Sequence, residues 1–422
     1  MAAKGRPLTT MEVHDIMCKI GEVVVVGGVR RSAMISLGDL GDMDHARAKA
    51  EDWWNHAPER ALANNSAVYD QKPSMGDFMK EWTSIYDSKS GERGIFNREA
   101  NKKQASKYGR RAYDVEYGVN PCAEIILRPY QFCNLSTAVI QPHDTQAKIA
   151  EKISVAALMG TMQASLTNFP YLRKIWETNT KEEALLGVSM TGILGNERLF
   201  NQDDSNQFLD TLRNVAGSVN RRWAPVLGVN DAAAITAIKP EGTVSQLTLT
   251  KSGIHAGHAP YYIRRVRQDN KDPLTQFMIS QGVPHEPCVM KPNDTTVFSF
   301  PMKEEGLTRN DLTATQHLEI WLDFQRHYCE HKPSVTISVK EHEWMEVGAW
   351  VYKHFDECTG VSFLPDDGGT YKQAPYEDIT EEEYQEMVSK MPTINWDDFM
   401  EFDDQVVGAQ TLSCTAAGGC SI

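Results

Sequence analysis

The chain has 422 residues, more than one average domain but within the reach of a single large α/β barrel. Hydrophobic residues make up 41% and charged residues 24%, which excludes a disordered, collagen-like or disulfide-scaffold chain. A net charge of −14, from 43 basic and 57 acidic residues, excludes a general pull toward polynucleotide phosphate, so polymeric nucleic acid is not an expected partner.

In chain order, Met11 to Ile20 reads as a helix. Val23 to Ser36 is rich in β-branched residues, broken by Gly27-Gly28 and the pair Arg30-Arg31. Gln131 to Ile140 predicts a strand, Thr145 to Phe169 a helix, Leu185 to Leu194 a strand and Ser205 to Leu227 a helix. Ala232 to Ile238 reads as a strand closed by the turn Lys239-Pro240-Glu241-Gly242. Thr308 with Asp311 is expected to open a helix that runs through Cys329. Ser334 to Val339 predicts a strand, Glu341 to Cys358 a helix and Gly360 to Pro365 a strand. Repeated strand-helix-strand units of this kind imply an α/β sheet or barrel. Eleven acidic residues against Lys390 alone mark Glu377 to Asp404 as a solvated layer, with a capping box from Thr380 and Glu383.

The longest β-branched run, Val23 to Val26, is far too short to span a bilayer, and no apolar signal core follows Met1 to Arg6. The expectation is a soluble, cytoplasmic protein without a membrane partner. Eight cysteines, none in a Cys-x-x-Cys pair, do not form a secreted framework or a zinc ribbon. Cys18, Cys288, Cys329 and Cys358 sit in apolar or helical surroundings and read as packing residues. His255 and His258 offer two ligands with no evident third, so no metal site is expected there. Arg264, Arg265 and Arg267 form a local basic run that suits either an anion or a solvated strand face.

The sharpest constellation is Asn120-Pro121-Cys122-Ala123-Glu124, followed by Cys133. Pro121 excludes helix at its own position and favours extended geometry at Asn120, so an amide, a thiol and a carboxylate can share one side of a tight loop. That set offers a donor to orient a hydroxyl, a sulfur able to carry an electron or hydrogen atom, and a general base. Lys239 to Ser245 follows a strand and can present backbone N–H groups and two hydroxyls to an anion; it is not a Walker A loop.

The block Asn120 to Glu124 resembles the finger-loop motif Asn-Pro-Cys-Gly-Glu of adenosylcobalamin-dependent (class II) ribonucleotide reductases, with Ala123 in place of Gly. Further blocks resemble the monomeric triphosphate reductase type in the same order: Gly27 to Ala33, Asn64 to Ser66, Val188 to Ile193, Ile238 to Val244, Tyr261 to Arg267 and Gln373 to Pro375. The resemblance runs from about Arg6 to Ile422. It implies a ten-stranded α/β barrel of two antiparallel five-stranded parallel halves, here mainly the C-terminal half. The barrel portion is then 1–405, with the finger loop near 118–130, and 406–422 is a flexible redox tail.

The resemblance further implies that Cys122 is the thiyl radical that removes the ribose 3′ hydrogen, that Glu124 takes the 3′-hydroxyl proton and that Asn120 holds the ribose hydroxyls. Cys133 is then one of two thiols that reduce the 2′ carbon, and Gly242, Thr243, Val244 and Ser245 bind the substrate phosphate. Cys414 and Cys420, with five residues between them in a small-residue tail, become the shuttle that carries electrons inward from thioredoxin or a similar dithiol. Class I reductases relay an electron through adjacent tyrosines on the last barrel strand, whereas Val361-Ser362-Phe363-Leu364 has none. The implied cofactor is therefore adenosylcobalamin, and the implied substrate a ribonucleoside triphosphate. The family's second reducing thiol and its effector elements lie in an N-terminal half ahead of the region matched, so activity is expected to need that half as a complement. Two alternatives stand beside this reading: a class I-type catalytic subunit served by a metalloprotein radical partner, and a non-catalytic fragment.

Overall fold

The β-branched runs become strands and the 3.6-periodic segments become helices that cover them, in a computed structural model. It describes residues 5–23, 25–26, 29–30, 32–50, 52–88, 91–289, 292–366 and 373–400. The strands used below are β1 (Met34–Asp39), β2 (Ala63–Tyr69), β3 (Gly94–Asn97), β4 (Gly118–Val119), β5 (Ile126–Leu127), β6 (Asn134–Val139), β7 (Leu186–Thr191), β8 (Tyr261–Asp269), β9 (His285–Pro287), β10 (Thr295–Lys303), β11 (Thr336–Lys340), β12 (Gly360–Asp366) and β13 (Tyr376–Asp378).

One five-stranded sheet has the order β11-β12-β3-β2-β1. Its strands β3, β2 and β1 are mutually parallel, β11 and β12 are mutually parallel, and the two sets meet antiparallel where Gly360 faces Phe96 and Val361 faces Ile95. A second parallel pair, β6 and β7, joins this sheet through residues 234–238: Val188 N–H donates to Ile235, Ile238 N–H donates to the Lys332 carbonyl, and Ser334 N–H donates to the Ile238 carbonyl. A hydrogen-bonded path of segments therefore runs from β6 to β1. Among the described residues, each of those end strands has a neighbour on one side only. A separate antiparallel sheet, β9-β10-β8-β13, lies outside this path.

The path is an α/β architecture, but the expected ten-stranded barrel is not reproduced, because the described strands form mixed and separate sheets. Several sequence expectations change in extent. Ala232 to Ile238 is tied by single bridges, not by a full ladder. The helix expected from Thr308 starts at Ala314, capped by Thr313 with Gln316, and passes through a π turn at Phe324–Tyr328. Thr308 and Asp311 do bond, but they close a turn. Helix Glu341 to Cys358 shortens to a 3-10 turn followed by Trp344–Lys353. By contrast, Ser205–Leu227 and the Thr380/Glu383 capping box form as read.

The main core lies between this path and its helices, with Trp321, Phe324, Phe355 and Phe363 among its fully buried side chains. Removing such apolar surface from water contributes roughly 25 cal/mol per Å2. Cys18, Cys288, Cys329 and Cys358 are buried, as their apolar surroundings suggest. No helix among the described residues is long and apolar enough to cross a membrane.

Candidate active site

The finger-loop segment is a β-hairpin. Strands β4 and β5 pair antiparallel, with Gly118 opposite Leu127 and Val119 opposite Ile126, and the six residues Asn120 to Ile125 form its tip. Asn120 N–H donates to the Ile125 carbonyl at 3.3 Å, and Ala123 N–H donates to the Asn120 carbonyl at 2.8 Å. The Asn120 side chain works within the tip: its Oδ1 accepts from Ile125 N–H at 2.9 Å, and its amide hydrogen-bonds the Glu124 carboxylate. Across the hairpin, Asn64 on β2 donates from Nδ2 to the Pro121 carbonyl at 2.9 Å.

Ala123 sits at φ 61°, in the left-handed region, where a Cβ costs about 1–2 kcal/mol. Its family counterpart is Gly, which carries no such cost but loses about 0.4–1 kcal/mol more in unfolded-chain entropy. Ala123→Gly is therefore expected to stabilise the protein by roughly 0.5–1 kcal/mol. A denaturant midpoint that falls on this substitution would show that the tip carries no backbone strain.

Two buried groups clamp the hairpin from below. His331 accepts from Ile126 N–H at Nδ1 (3.2 Å) and faces the Leu186 carbonyl with Nε2 (3.0 Å). An acceptor at Nδ1 and a donor at Nε2 define one neutral tautomer, and burial holds its pKa well below the ordinary value. Arg111 reaches the Ile126 carbonyl at 2.9 Å and forms a paired contact to Glu183 at 3.2 and 2.9 Å. Gln131 Nε2 donates to the same carboxylate at 2.6 Å. None of His331, Arg111 and Glu183 was singled out from the sequence, because only tertiary folding brings them beneath the motif.

Cys122 is half-buried and lines a cavity of about 1020 Å3, walled also by Asn64, Ser66, Lys332 and Ser362. This is at the upper end of the ~300–1,000 Å3 range typical of small-molecule sites. Glu124 is 1% exposed, and its Oε2 has no hydrogen-bond partner among the described residues. Burial raises its pKa; the bond from Asn120 and the charge of Lys239 oppose that rise, and Glu241 adds to it. Cys133 lies close by: burial, then the Glu124 carboxylate, pushes its thiol above the ordinary range. Gly187 on β7 lies beside it and makes room for the neighbouring Leu135 and Ile125 side chains. A Cβ there would lie 3.5 Å from Cys133 Sγ and 2.4 Å from a Leu135 methyl.

The segment expected to cradle phosphate is a seven-residue helix, Gly242–Thr248, entered through Glu241 at φ 60°. Of Gly242, Thr243, Val244 and Ser245, Ser245 lines the cavity and the other three do not. Glu241 is buried; its Oε1 accepts from Thr137 at 2.6 Å and lies 3.6 Å from Lys239 Nζ, and its Oε2 has no partner among the described residues.

The remaining candidates are structural. His255 meets the Ser252 carbonyl with Nδ1 and accepts from Thr336 N–H at Nε2, so both ring nitrogens are occupied, and burial lowers its pKa to about 3. His258 stacks on Tyr376 and lies 2.7 Å from Asp378. Arg264 covers the Tyr376 ring, Arg265 pairs with Glu377 at 2.6 Å, and Arg267 donates to the Gln373 carbonyl at 2.7 Å. The basic run thus straps residues 373–378 to β8. Cys414, Cys420 and residues 27, 28 and 31 lie outside the described residues.

No family model matches the chain. The adenosylcobalamin-dependent ribonucleoside-triphosphate reductase of Lactobacillus acidophilus is 28% identical, the match covering 100% of this chain and 60% of that protein. The enzyme of the same name from Lactobacillus leichmannii is 27% identical over 99% of this chain and 60% of its own length. That of Euglena gracilis is 26% identical over 92% and 53%. The chain thus spans little more than half the length of these relatives. Among solved structures, a B12-dependent (class II) ribonucleotide reductase superposes with a TM-score of 0.73 at 23% identity, covering 94% of this chain and 58% of that one. The class Id ribonucleotide reductase alpha subunit of Actinobacillus ureae gives 0.57 at 12% identity, over 87% and 76%. Over its whole length, then, this chain is similar in sequence to adenosylcobalamin-dependent ribonucleoside-triphosphate reductases, and it has an α/β fold like that of the class II enzyme.

Proposed function

We propose that the chain is a catalytic part of a ribonucleotide reductase, which converts ribonucleoside triphosphates to 2′-deoxyribonucleotides through a thiyl radical on Cys122. The observation that carries this reading is the hairpin tip, where Cys122 faces a cavity beside a buried carboxylate that keeps one oxygen unpartnered. To Glu124, whose Oε2 is buried and unpartnered among the described residues, we assign the proton of the substrate 3′-hydroxyl as the 3′ hydrogen leaves. Asn120 orients that carboxylate by its own hydrogen bond. Cys133, with its raised pKa, stays a thiol at neutral pH and can deliver hydrogen toward the 2′ carbon. Ser245, and with it Gly242, Thr243 and Val244, are assigned to the phosphate. Cys414 and Cys420 are assigned to the electron shuttle served by thioredoxin or a similar dithiol.

Adenosylcobalamin would be held at this site in the cavity of about 1020 Å3 on which Cys122 opens, whose wall also includes His258, Tyr262 and Tyr376. When bound, it supplies the homolytic cobalt–carbon bond from which the Cys122 radical derives. β12, with Val361, Phe363 and Leu364, offers no tyrosine relay for a radical made elsewhere.

The open edges of β1 and β6 call for further strands, which we assign to an N-terminal complement that completes the ten-stranded barrel. Beside each edge a helix leaves an apolar stripe in solvent: Val13, Ile16, Met17 and Ile20 near β1, and Val155, Met159 and Met162 near β6. Parallel strands are stable when both faces and neighbours are supplied. Supplying that complement is expected to give a stoichiometric complex. Its formation of deoxynucleotide should depend on added adenosylcobalamin, not on an added iron or manganese subunit, and the 422-residue chain alone should not turn over. Robust reduction by the isolated chain would overturn the complement, and dependence on a metal subunit would overturn the cofactor.

A further inference from the structure

We infer that Ser66, Ser362 and Lys332 form a subsite that holds the vicinal diol of a ribose, the one carried by the adenosyl group of the cofactor proposed above. The inference rests on that reading of the cofactor and names the side chains of this chain that meet it.

Ser66 on β2 pairs with Gly94 on β3, and Val361 on β12 pairs with Ile95, which sets Ser362 beside Gly94 on its other side. A Cβ on Gly94 would stand 3.1 Å from the Ser66 hydroxyl oxygen and 3.1 Å from that of Ser362. The glycine thus leaves a notch one side chain wide, with a hydroxyl on either bank. All three residues line the cavity that Cys122 shares. The next residues along each strand, Ala67, Ile95 and Val361, belong to the main core on the opposite face. Central strands covered on both faces are ordinarily apolar on both, so a Ser-Gly-Ser row across the middle of the sheet gives up packing. Neither hydroxyl has a hydrogen-bond partner among the described residues.

Lys332 adds a third polar group to this floor. Gly360 lies two residues before Ser362 on the same face, and a Cβ there would run into Lys332 Nζ. The ammonium therefore sits over β12, about 7 Å along the strand from Ser362. Lys332 is 1% exposed and lines the same cavity, and its Nζ has no hydrogen-bond or ion-pair partner among the described residues. A buried ammonium left unpaired is costly, and a ligand oxygen is the acceptor it lacks. Lysine offers three donors and each serine one donor with two lone pairs, a set that suits two adjacent hydroxyls able both to give and to accept.

Charge and place select the occupant. The cavity wall carries six carboxylates against four lysine and arginine side chains, which disfavours a polyphosphate and suits an uncharged sugar. Pro121, Cys122 and Ala123 line this cavity, whereas Asn120, Glu124 and Cys133, the residues assigned to substrate, do not. A ribose over Gly94 therefore lies on the radical-generating side of Cys122.

The test is calorimetric titration of the full chain with adenosine and with 2′,3′-dideoxyadenosine, which differ only in the diol. The protein is expected to prefer adenosine by about tenfold or more. The double variant Ser66→Ala, Ser362→Ala should weaken adenosine about tenfold and leave the dideoxynucleoside within a factor of two. Gly94→Ala fills the notch while keeping every polar group, and should weaken adenosine to a similar extent. Lys332→Met should cost tenfold or more, since its donor is charged; where it fails to fold, the serine and glycine variants, which change no buried charge, still decide. Affinity for a ribonucleoside triphosphate should stay within a factor of two throughout. Equal binding of the two nucleosides, unchanged adenosine affinity in the folded variants, or a loss confined to the triphosphate overturns the subsite, even in a protein that reduces nucleotide when complemented. A diol preference that the variants abolish, in a protein that reduces no nucleotide, overturns the functional reading and leaves the subsite in place.

Discussion

Cys122→Ser in the complemented protein is expected to lower nucleotide reduction by roughly 10^4-fold or more, equivalent to about 5.4 kcal/mol of barrier at 1.36 kcal/mol per decade. Serine keeps the size of the side chain at the hairpin tip, so Asn120, Glu124 and the backbone turn have no reason to move. What changes is the atom. Sulfur stabilises an unpaired electron that a hydroxyl oxygen holds only at far higher energy, and no other cysteine lines the cavity among the described residues. Nucleotide affinity, read by calorimetry, should stay within about a factor of two, since the lost interaction belongs to the transition state and not to binding. Reduction at anything near the wild-type rate would remove Cys122 from the centre of the chemistry.

The second large effect is on stability. Arg111 has a fully enclosed side chain, makes two bonds to Glu183 and one to the Ile126 carbonyl, and packs its guanidinium over the Tyr117 ring at 4.6 Å. Arg111→Met leaves the buried Glu183 carboxylate with only the longer Arg128 contact at 3.6 Å and the Gln131 bond, so the loss is expected toward the lower end of the ~3–5 kcal/mol that breaking a buried pair costs. Urea unfolding should report that loss directly. The double variant Arg111→Met, Glu183→Leu should recover much of it, because replacing both members of a buried pair by apolar residues is often near neutral. If the single variant unfolds at the wild-type midpoint, the pair does not hold the base of the hairpin.

The chemistry of the site was legible where it is local. Asn120, Cys122 and Glu124 lie within five residues, and Pro121 forces the turn that gathers them. Strands β6, β7, β11 and β12 and helix Ser205–Leu227 were legible through apolar periodicity. What stayed hidden has physical reasons. β2 begins Ala63-Asn64-Asn65-Ser66, a polar run that reads as loop; it is a strand because Asn64 is bonded to the Pro121 carbonyl and Asn65 to His14 and Glu92. The arginines of β8, read as suiting either an anion or a solvated strand face, lie on a strand and bind residues 373–378, partners the sequence does not reveal. Thr308 and Asp311 carry the chemistry of a helix start, but it closes a turn, and the chain waits for Thr313. The clamp residues Arg111, Glu183 and His331 carry no local signal, because their partners are up to 205 residues away in sequence.

The antiparallel seam between β3 and β12 bears on how the protein is made. Asn97 Nδ2 bonds the Phe355 carbonyl, and Asn101 Nδ2 bonds the Thr359 carbonyl, each across 258 residues of sequence. A ribosome adding ~5–20 residues per second needs roughly 10–50 s to cover that distance. For that interval β1, β2 and β3 emerge with the outer edge of β3 uncovered, a flat template for strand addition by other nascent chains. The seam makes biosynthesis order a constraint: early strands must be shielded by chaperones, or stay loosely collapsed, until the last strand of the sheet arrives to close them.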